Sequence, residues 1–137
     1  MKALREHDIV DVPHDAPLDL QPFLGVWEKT NEKPGQWIRR VEIARSGDAN
    51  ISVRVRGGDA PSPDDWGARP ADELFATAIN SSLGGGFIVR FDHGSLVSEL
   101  QGNVNLGLLV LAGFNRFAAD SGRSDLFTRE FFHRVNA

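Results

Sequence analysis

The chain has 137 residues, a formal net charge of −4, 41% apolar and 25% charged residues, and no cysteine. A chain of this length makes one domain around one core, and its proportions are those of a globular protein rather than a disordered, fibrous or membrane-spanning one. The acidic balance supplies no field to gather phosphate backbones, which argues against nucleic acid as a partner, and the missing thiols exclude disulfide frameworks, cysteine nucleophiles and thiolate metal sites while suiting a reducing compartment.

Met1 to Asp15 mixes Lys2, Arg5, Glu6, His7 and Asp8 without a continuous apolar run, so it reads neither as a secretory signal nor as a membrane span. The expectation is a cytoplasmic protein with no membrane partner, in which the Asn-x-Ser sequons at Asn50 and Asn80 are chance matches. Residues 1–17, with Pro13 and Pro17, are expected to form an N-terminal arm, and residues 18–137 a single domain opening on a short helical turn at Leu18 to Phe23. From Gly25 onward short β-rich runs alternate with Gly, Asp, Asn and Pro, and no long amphipathic helical pattern occurs. Strands are predicted at 25–31, 36–45, 50–56, 73–79, 86–92, 95–101, 105–117 and 125–135. About eight strands of this kind close an all-β, antiparallel up-and-down barrel, with hairpin reversals at Asn31 to Gly35, Ser46 to Asp48, Asp92 to Gly94 and Asp120 to Gly122. The long connection from Gly57 to Ala71, carrying Pro61, Pro63, Trp66 and Pro70, is expected to be a loop across one end of the barrel.

Strand alternation nominates the interior. Trp37, Arg39, Val41 and Ile43 form one inward set, Ile51, Val53 and Val55 a second, and Phe87, Val89 and Phe91 a third. In the last strand Phe127, Arg129, Phe131 and His133 compete with Leu126, Thr128, Glu130, Phe132 and Arg134. The first set is taken as inward, because Glu130 is costly to bury without a partner. Leu106 to Phe114 is apolar in both phases, so its outer face calls for a cover, either a second copy of the chain or the N-terminal arm.

Two short motifs carry a family resemblance. Phe23-Leu-Gly-Val-Trp27 resembles the Gly-x-Trp opening of the calycin superfamily, in which lipocalins, fatty-acid-binding proteins and avidins begin their first strand, and Thr128-Arg-Glu-Phe131 resembles the Arg-x-Tyr strand of intracellular fatty-acid-binding proteins. The resemblance implies a lipocalin-like barrel holding a small ligand, with Arg129 toward a ligand carboxylate. Phe131 in place of Tyr removes the hydroxyl contribution. It also implies that a last-strand arginine packs across Trp27 at the closed barrel end, with Arg129 favoured over Arg134.

The residues themselves nominate Arg39, Arg129 and His133 as polar contacts of an interior site, with Trp37, Phe87, Phe91 and Phe131 as its apolar wall. A guanidinium stays charged and needs a carboxylate, a ligand anion or water, whereas an inward histidine can titrate. Lys29 and Asn31 share the phase of Trp27, which allows projection toward a barrel mouth, with solvent exposure near the turn the favoured reading; Asp64 and Asp65 read as a solvated turn. The four histidines have no metal-ligand spacing, Gly84 to Gly86 lacks the Lys-Ser/Thr of a phosphate loop, and no Gly-x-Ser-x-Gly elbow occurs, so no metal and no cofactor are expected. The leading function is binding of a small hydrophobic molecule, with or without an anionic group, inside the barrel. The alternative is a small barrel isomerase or cyclase using Arg129 or His133 on a hydrophobic substrate. A third reading is a filled barrel that works through its outer surface.

Overall fold

The computed structural model describes residues 17–30 and 35–135. The N-terminal arm, apart from Pro17, and the turn from Asn31 to Pro34 lie outside the described residues. A 3-10 turn at Gln21–Phe23 precedes nine strands: β1 Gly25–Lys29, β2 Ile38–Ser46, β3 Asn50–Gly57, β4 Asp65–Pro70, β5 Glu73–Ala76, β6 Gly84–Asp92, β7 Leu96–Asn105, β8 Leu108–Phe117 and β9 Leu126–Val135. All pairings are antiparallel in one sheet, in the order β4-β3-β2-β1-β9-β8-β7-β6-β5. Neighbours follow chain order except at one place, where β1 lies against β9 with Trp27 opposite Arg134.

The two outer strands belong to one stretch of chain. Residues 65–70 pair with β3, the Ala71 amide still donates to Ile51 O at 3.0 Å, and one residue later the Asp72 amide donates to Ile88 O at 2.8 Å before residues 73–76 pair with β6. A single bent strand therefore changes partner at Asp72 and joins both edges of the sheet. The antiparallel barrel is the one the turn rhythm indicated, with nine strand segments in place of about eight. The predicted loop from Gly57 to Ala71 is corrected: its first half, residues 58–64, is a loop, and its second half is β4. The strand was invisible to pattern because Trp66 is the one buried side chain in β4, and Pro70 is tolerated where a strand ends.

The core is continuous through the barrel, with Leu20, Phe23, Trp27, Val41, Ile51, Val53, Val55, Phe87, Val89, Phe91, Leu100, Leu109, Leu111 and Phe132 at or near complete burial. One end is plugged. Phe23 sets its ring edge-on to Phe87 at 5.4 Å between centroids, and the Trp27 indole N–H donates to Phe23 O at 2.9 Å. Gly102, an inward position on β7, leaves room for the Phe87 ring, since a Cβ there would lie 2.3 Å from that ring. The arginine across Trp27 is Arg134, with its guanidinium 4.5 Å from the ring centroid and a donor bond to Pro22 O at 2.8 Å. Arg129, the favoured candidate, is not there.

The phase of β9 is the reverse of the one chosen from sequence. Glu130 and Phe132 are buried, whereas Phe127, Arg129, Phe131 and His133 are exposed on the outer face. Arg39 is likewise exposed, because the β2–β3 register slips between Ile38 and Arg40, and this bulge gives the inward place to Ile38 while turning Arg39 out.

Candidate functional site

The end opposite Trp27 carries the connections β1–β2, β3–β4, β6–β7 and β8–β9, and it holds most of the barrel's buried polar groups. Trp37, just ahead of β2, is the hub. Its indole N–H donates to Asn115 Oδ1 at 2.9 Å, and the Ser98 hydroxyl donates to the same oxygen at 2.7 Å. The Asn115 amide donates in turn to Leu126 O at 3.1 Å and lies 3.5 Å from the Thr128 hydroxyl. Ser98 and Asn115 are almost fully buried, so these bonds answer a desolvation cost that would otherwise go unmet.

The 58–64 loop is tied to the same tryptophan. Trp37 O accepts from the Gly58 amide at 3.1 Å and the Ser62 hydroxyl at 2.6 Å, and the Trp66 indole N–H donates to Pro63 O at 3.0 Å. The rings then meet edge to face: Trp37 with Trp66 and with Phe117, each at 6.3 Å, and Trp66 with Phe91 at 5.5 Å. His93, in the β6–β7 turn, stands edge-on to Trp66 at 4.9 Å and parallel to Phe91. Burial among these rings lowers its pKa below the ordinary 6.5, against the opposing pull of Asp92. Its Nε2 is buried with no hydrogen-bond partner among the described residues.

Glu130 reaches the mouth from β9. Its Oε2 accepts from the Lys29 ammonium and from the Trp37 and Ile38 amides, the latter two at 3.3 and 3.1 Å. Those amides need an acceptor because the β1–β2 ladder ends at Glu28 and Arg40, which leaves the start of β2 paired with β3 alone, at Ile38 and Gly57. The carboxylate thus repairs the backbone that the bulge disturbs. The Glu130 side chain is 7% exposed and Lys29 16%, and the Lys29 ammonium also lies over the Phe132 ring. The second oxygen of Glu130, Oε1, is buried and has no hydrogen-bond partner among the described residues. Beside this pair a pocket of about 250 Å³ is lined by Glu28, Lys29, Gln36, Arg39 and Arg40. Arg40 is engaged with Glu28 at 2.9 Å, whereas Arg39 has no ion-pair partner among the described residues.

Of the residues nominated from sequence, Trp37 and Phe91 both pack on Trp66 at the mouth, and Phe87 is buried at the plugged end. Arg39 lines the outer pocket rather than the interior. Arg129, Phe131 and His133 lie on the outer face, where Arg129 sits over the Phe131 ring at 5.6 Å, so the isomerase or cyclase alternative loses the two interior residues assigned to it. Sequence reasoning missed Ser98, Asn115, Glu130, Trp66 and His93. The signal for Glu130 was present, since choosing Arg134 for Trp27 places residues 128, 130 and 132 on the same face as the tryptophan. Among the described residues no group of three or more His, Asp or Glu side chains could hold a metal ion, and no helix is long and apolar enough to cross a membrane.

No family model and no curated protein matches the chain. Among solved structures, a point mutant of the fluorescent protein UnaG is similar at 12% identity and a TM-score of 0.45, covering 87% of this chain and 100% of that one. A likeness of that strength carries no argument about what this chain binds. The barrel itself is lipocalin-like in its own right: an antiparallel meander, a Gly-x-Trp first strand behind a 3-10 turn, and a last-strand arginine over that tryptophan.

Proposed function

We propose that this protein binds a small, mostly apolar molecule that enters the barrel through the mouth. The observation that carries the reading is the convergence at the mouth of four aromatic rings, Trp37, Trp66, Phe91 and Phe117, with the Lys29–Glu130 pair. Ligand sites combine apolar walls with a few fixed polar groups in this manner. Nile red, a neutral apolar dye, tests it: one saturable site is expected, lost in Trp66→Ala and retained in Phe131→Ser. Dye emission that survives Trp66→Ala and disappears in Phe131→Ser would assign binding to the outer face and overturn the proposal.

A second reading, pairing of two copies, rests on the outer face of β8 and β9. Phe127 is 61% exposed and Phe131 40%, with Phe114 against Phe127 at 5.3 Å. Contiguous exposed rings of this kind mark interfaces, and a two-fold axis would set Arg129 of each copy against the aromatic face of the other. Deleting residues 1–15 separates this reading from cover by the arm: a dimer keeps its mass in sedimentation, and an arm-covered monomer loses solubility. A stable, soluble monomer after the deletion contradicts both.

A further inference from the structure

The run Gly84 to Gly86, which is no phosphate loop, opens β6 with three residues that have no side chain. Packing requires the first two. A Cβ on Gly84 would lie 2.8 Å from Asp19 O, and one on Gly85 would lie 2.8 Å from Thr77 Cα. Gly86 is different: it has no positive φ, and its Cβ would meet one atom, Gly102 O, at 3.3 Å. A glycine within a strand weakens the strand, and it often marks a place where a ligand approaches the backbone. Register sets Phe75 opposite Gly86 on one side and Asn103 on the other, so the missing side chain leaves a trough between two rows that stand about 10 Å apart. A ring opposite a strand glycine can fold over it, yet Phe75 remains 46% exposed and a groove of about 510 Å³ stays open. Thr77, Ile88 and Gln101 complete its walls.

None of the described residues lining this groove is charged, in a chain of which 25% is. On the same face Arg90 is engaged with Glu99 at 3.0 Å and with Glu73 at 3.8 Å. The groove offers one exposed aromatic ring, the carboxamide of Asn103 with both donor and acceptor, and the oxygen of Gln101, whose amide nitrogen donates to Glu99 at 3.2 Å. A phosphate or carboxylate entering it loses water without gaining a counter-charge, and a purely apolar molecule leaves the amides unanswered. A pyranose ring meets both requirements. Its C–H face, slightly positive, suits the negative face of the phenyl ring, and its hydroxyls donate to and accept from carboxamides. We propose that the Phe75–Gly86–Asn103 groove binds an uncharged sugar, a neutral glycoside stacked on Phe75 and held by Asn103 and Gln101. This site lies on the outer wall of the barrel and is independent of the mouth.

Methyl β-glucoside, methyl β-galactoside and methyl α-mannoside, titrated into the full-length protein, test it, with the amide signals of Gly85, Gly86 and Gly102 followed by heteronuclear NMR. At least one sugar is expected to move these signals saturably, with a dissociation constant on the order of 1 mM. The matching uronate, which carries a carboxylate in place of the hydroxymethyl group, is expected to bind several-fold more weakly. Phe75→Ala should weaken the sugar about tenfold and Asn103→Leu roughly fivefold, whereas Phe131→Ser, which removes a ring exposed on β9, should leave it unchanged. Gly86→Ala fills the trough and is expected to abolish binding in a folded chain; if that variant does not fold, Asn103→Leu, at an exposed position, decides the matter. Retained affinity in a folded Gly86→Ala, or in Phe75→Ala and Asn103→Leu, overturns the proposal, as does a uronate that binds tightest or adenosine moving the glycine signals at lower concentration than every sugar. No shift with any of the three sugars also overturns it, and Phe75 then serves only to shelter its glycine.

Discussion

Replacing Asn115 by alanine removes the junction that joins β2, β7 and β9 at the mouth. Its Oδ1 takes the Trp37 indole N–H at 2.9 Å and the Ser98 hydroxyl at 2.7 Å, and its amide satisfies Leu126 O at 3.1 Å. The serine hydroxyl can rotate to another acceptor, but the indole N–H is fixed by a ring wedged between Trp66 and Phe117. One donor and one backbone acceptor are therefore stranded in the interior, at about 1–3 kcal/mol each, and the expected loss is roughly 3–4 kcal/mol. For a domain of this size that lowers the melting temperature by roughly 10–15 °C. Urea unfolding followed by tryptophan emission measures it, and a double-mutant cycle isolates the bond. Trp37→Phe removes the donor, so the double variant should lose about 1–2 kcal/mol less than the sum of the singles. An Asn115→Ala loss under about 1 kcal/mol, or strict additivity, would show that water replaces the amide and that the network does not hold the mouth.

Trp27→Ala should cost about 3–5 kcal/mol, as for other large buried aromatics; Arg134→Ala should cost roughly 1 kcal/mol for the lost ring contact and Arg129→Ala about 0.5 kcal/mol or less, and the reverse ranking in urea titrations would contradict the assignment at the plugged end. His93 has a folded-state pKa below the ordinary 6.5, so its neutral form is the one the fold favours. Its contribution is complete above 6.5 and is lost as pH falls through the window beneath. Thermal scans from about pH 7.5 to about pH 5 should therefore fall more steeply for wild type than for His93→Gln, and parallel profiles would remove His93 from the aromatic cluster. Gly102→Ala should destabilise by displacing the Phe87 ring, which an added Cβ would approach to 2.3 Å, by roughly 1–3 kcal/mol as for other overpacked cores; an unchanged urea midpoint would show that the ring can move aside.

The barrel was legible because one face of most strands is apolar and the other polar. Ile51, Val53 and Val55 alternate with Ser52 and Arg54, and burial follows that alternation residue by residue. Phe87, Val89 and Phe91 do the same on β6. In β9 both parities carry phenylalanine, so the choice fell on the charges. Glu130 was placed outside for want of a partner, yet its partner Lys29 lies 101 residues away in sequence. That contact exists only because β1 and β9 are neighbours, which no local pattern reveals. Arg39 went wrong for a different reason: alternation counts residues, and one bulge shifts the count.

Pairing of β1 with β9 also bears on how the chain reaches this state. Every other hydrogen-bonded strand pair joins segments that are consecutive or nearly so, and these can zip up by local search. The β1–β9 seam brings Val26 to Val135, and closing so long a loop has an entropic cost to be met before any contact there rewards it. The seam is accordingly the last ladder expected to form and the first to open. It is riveted at one end by Arg134 on Trp27 and at the other by Glu130 on Lys29. The second rivet sits at the mouth, so a molecule seated there would act as a clasp on the slowest-forming joint of the barrel, and slow amide exchange along β1 and β9 would be its trace.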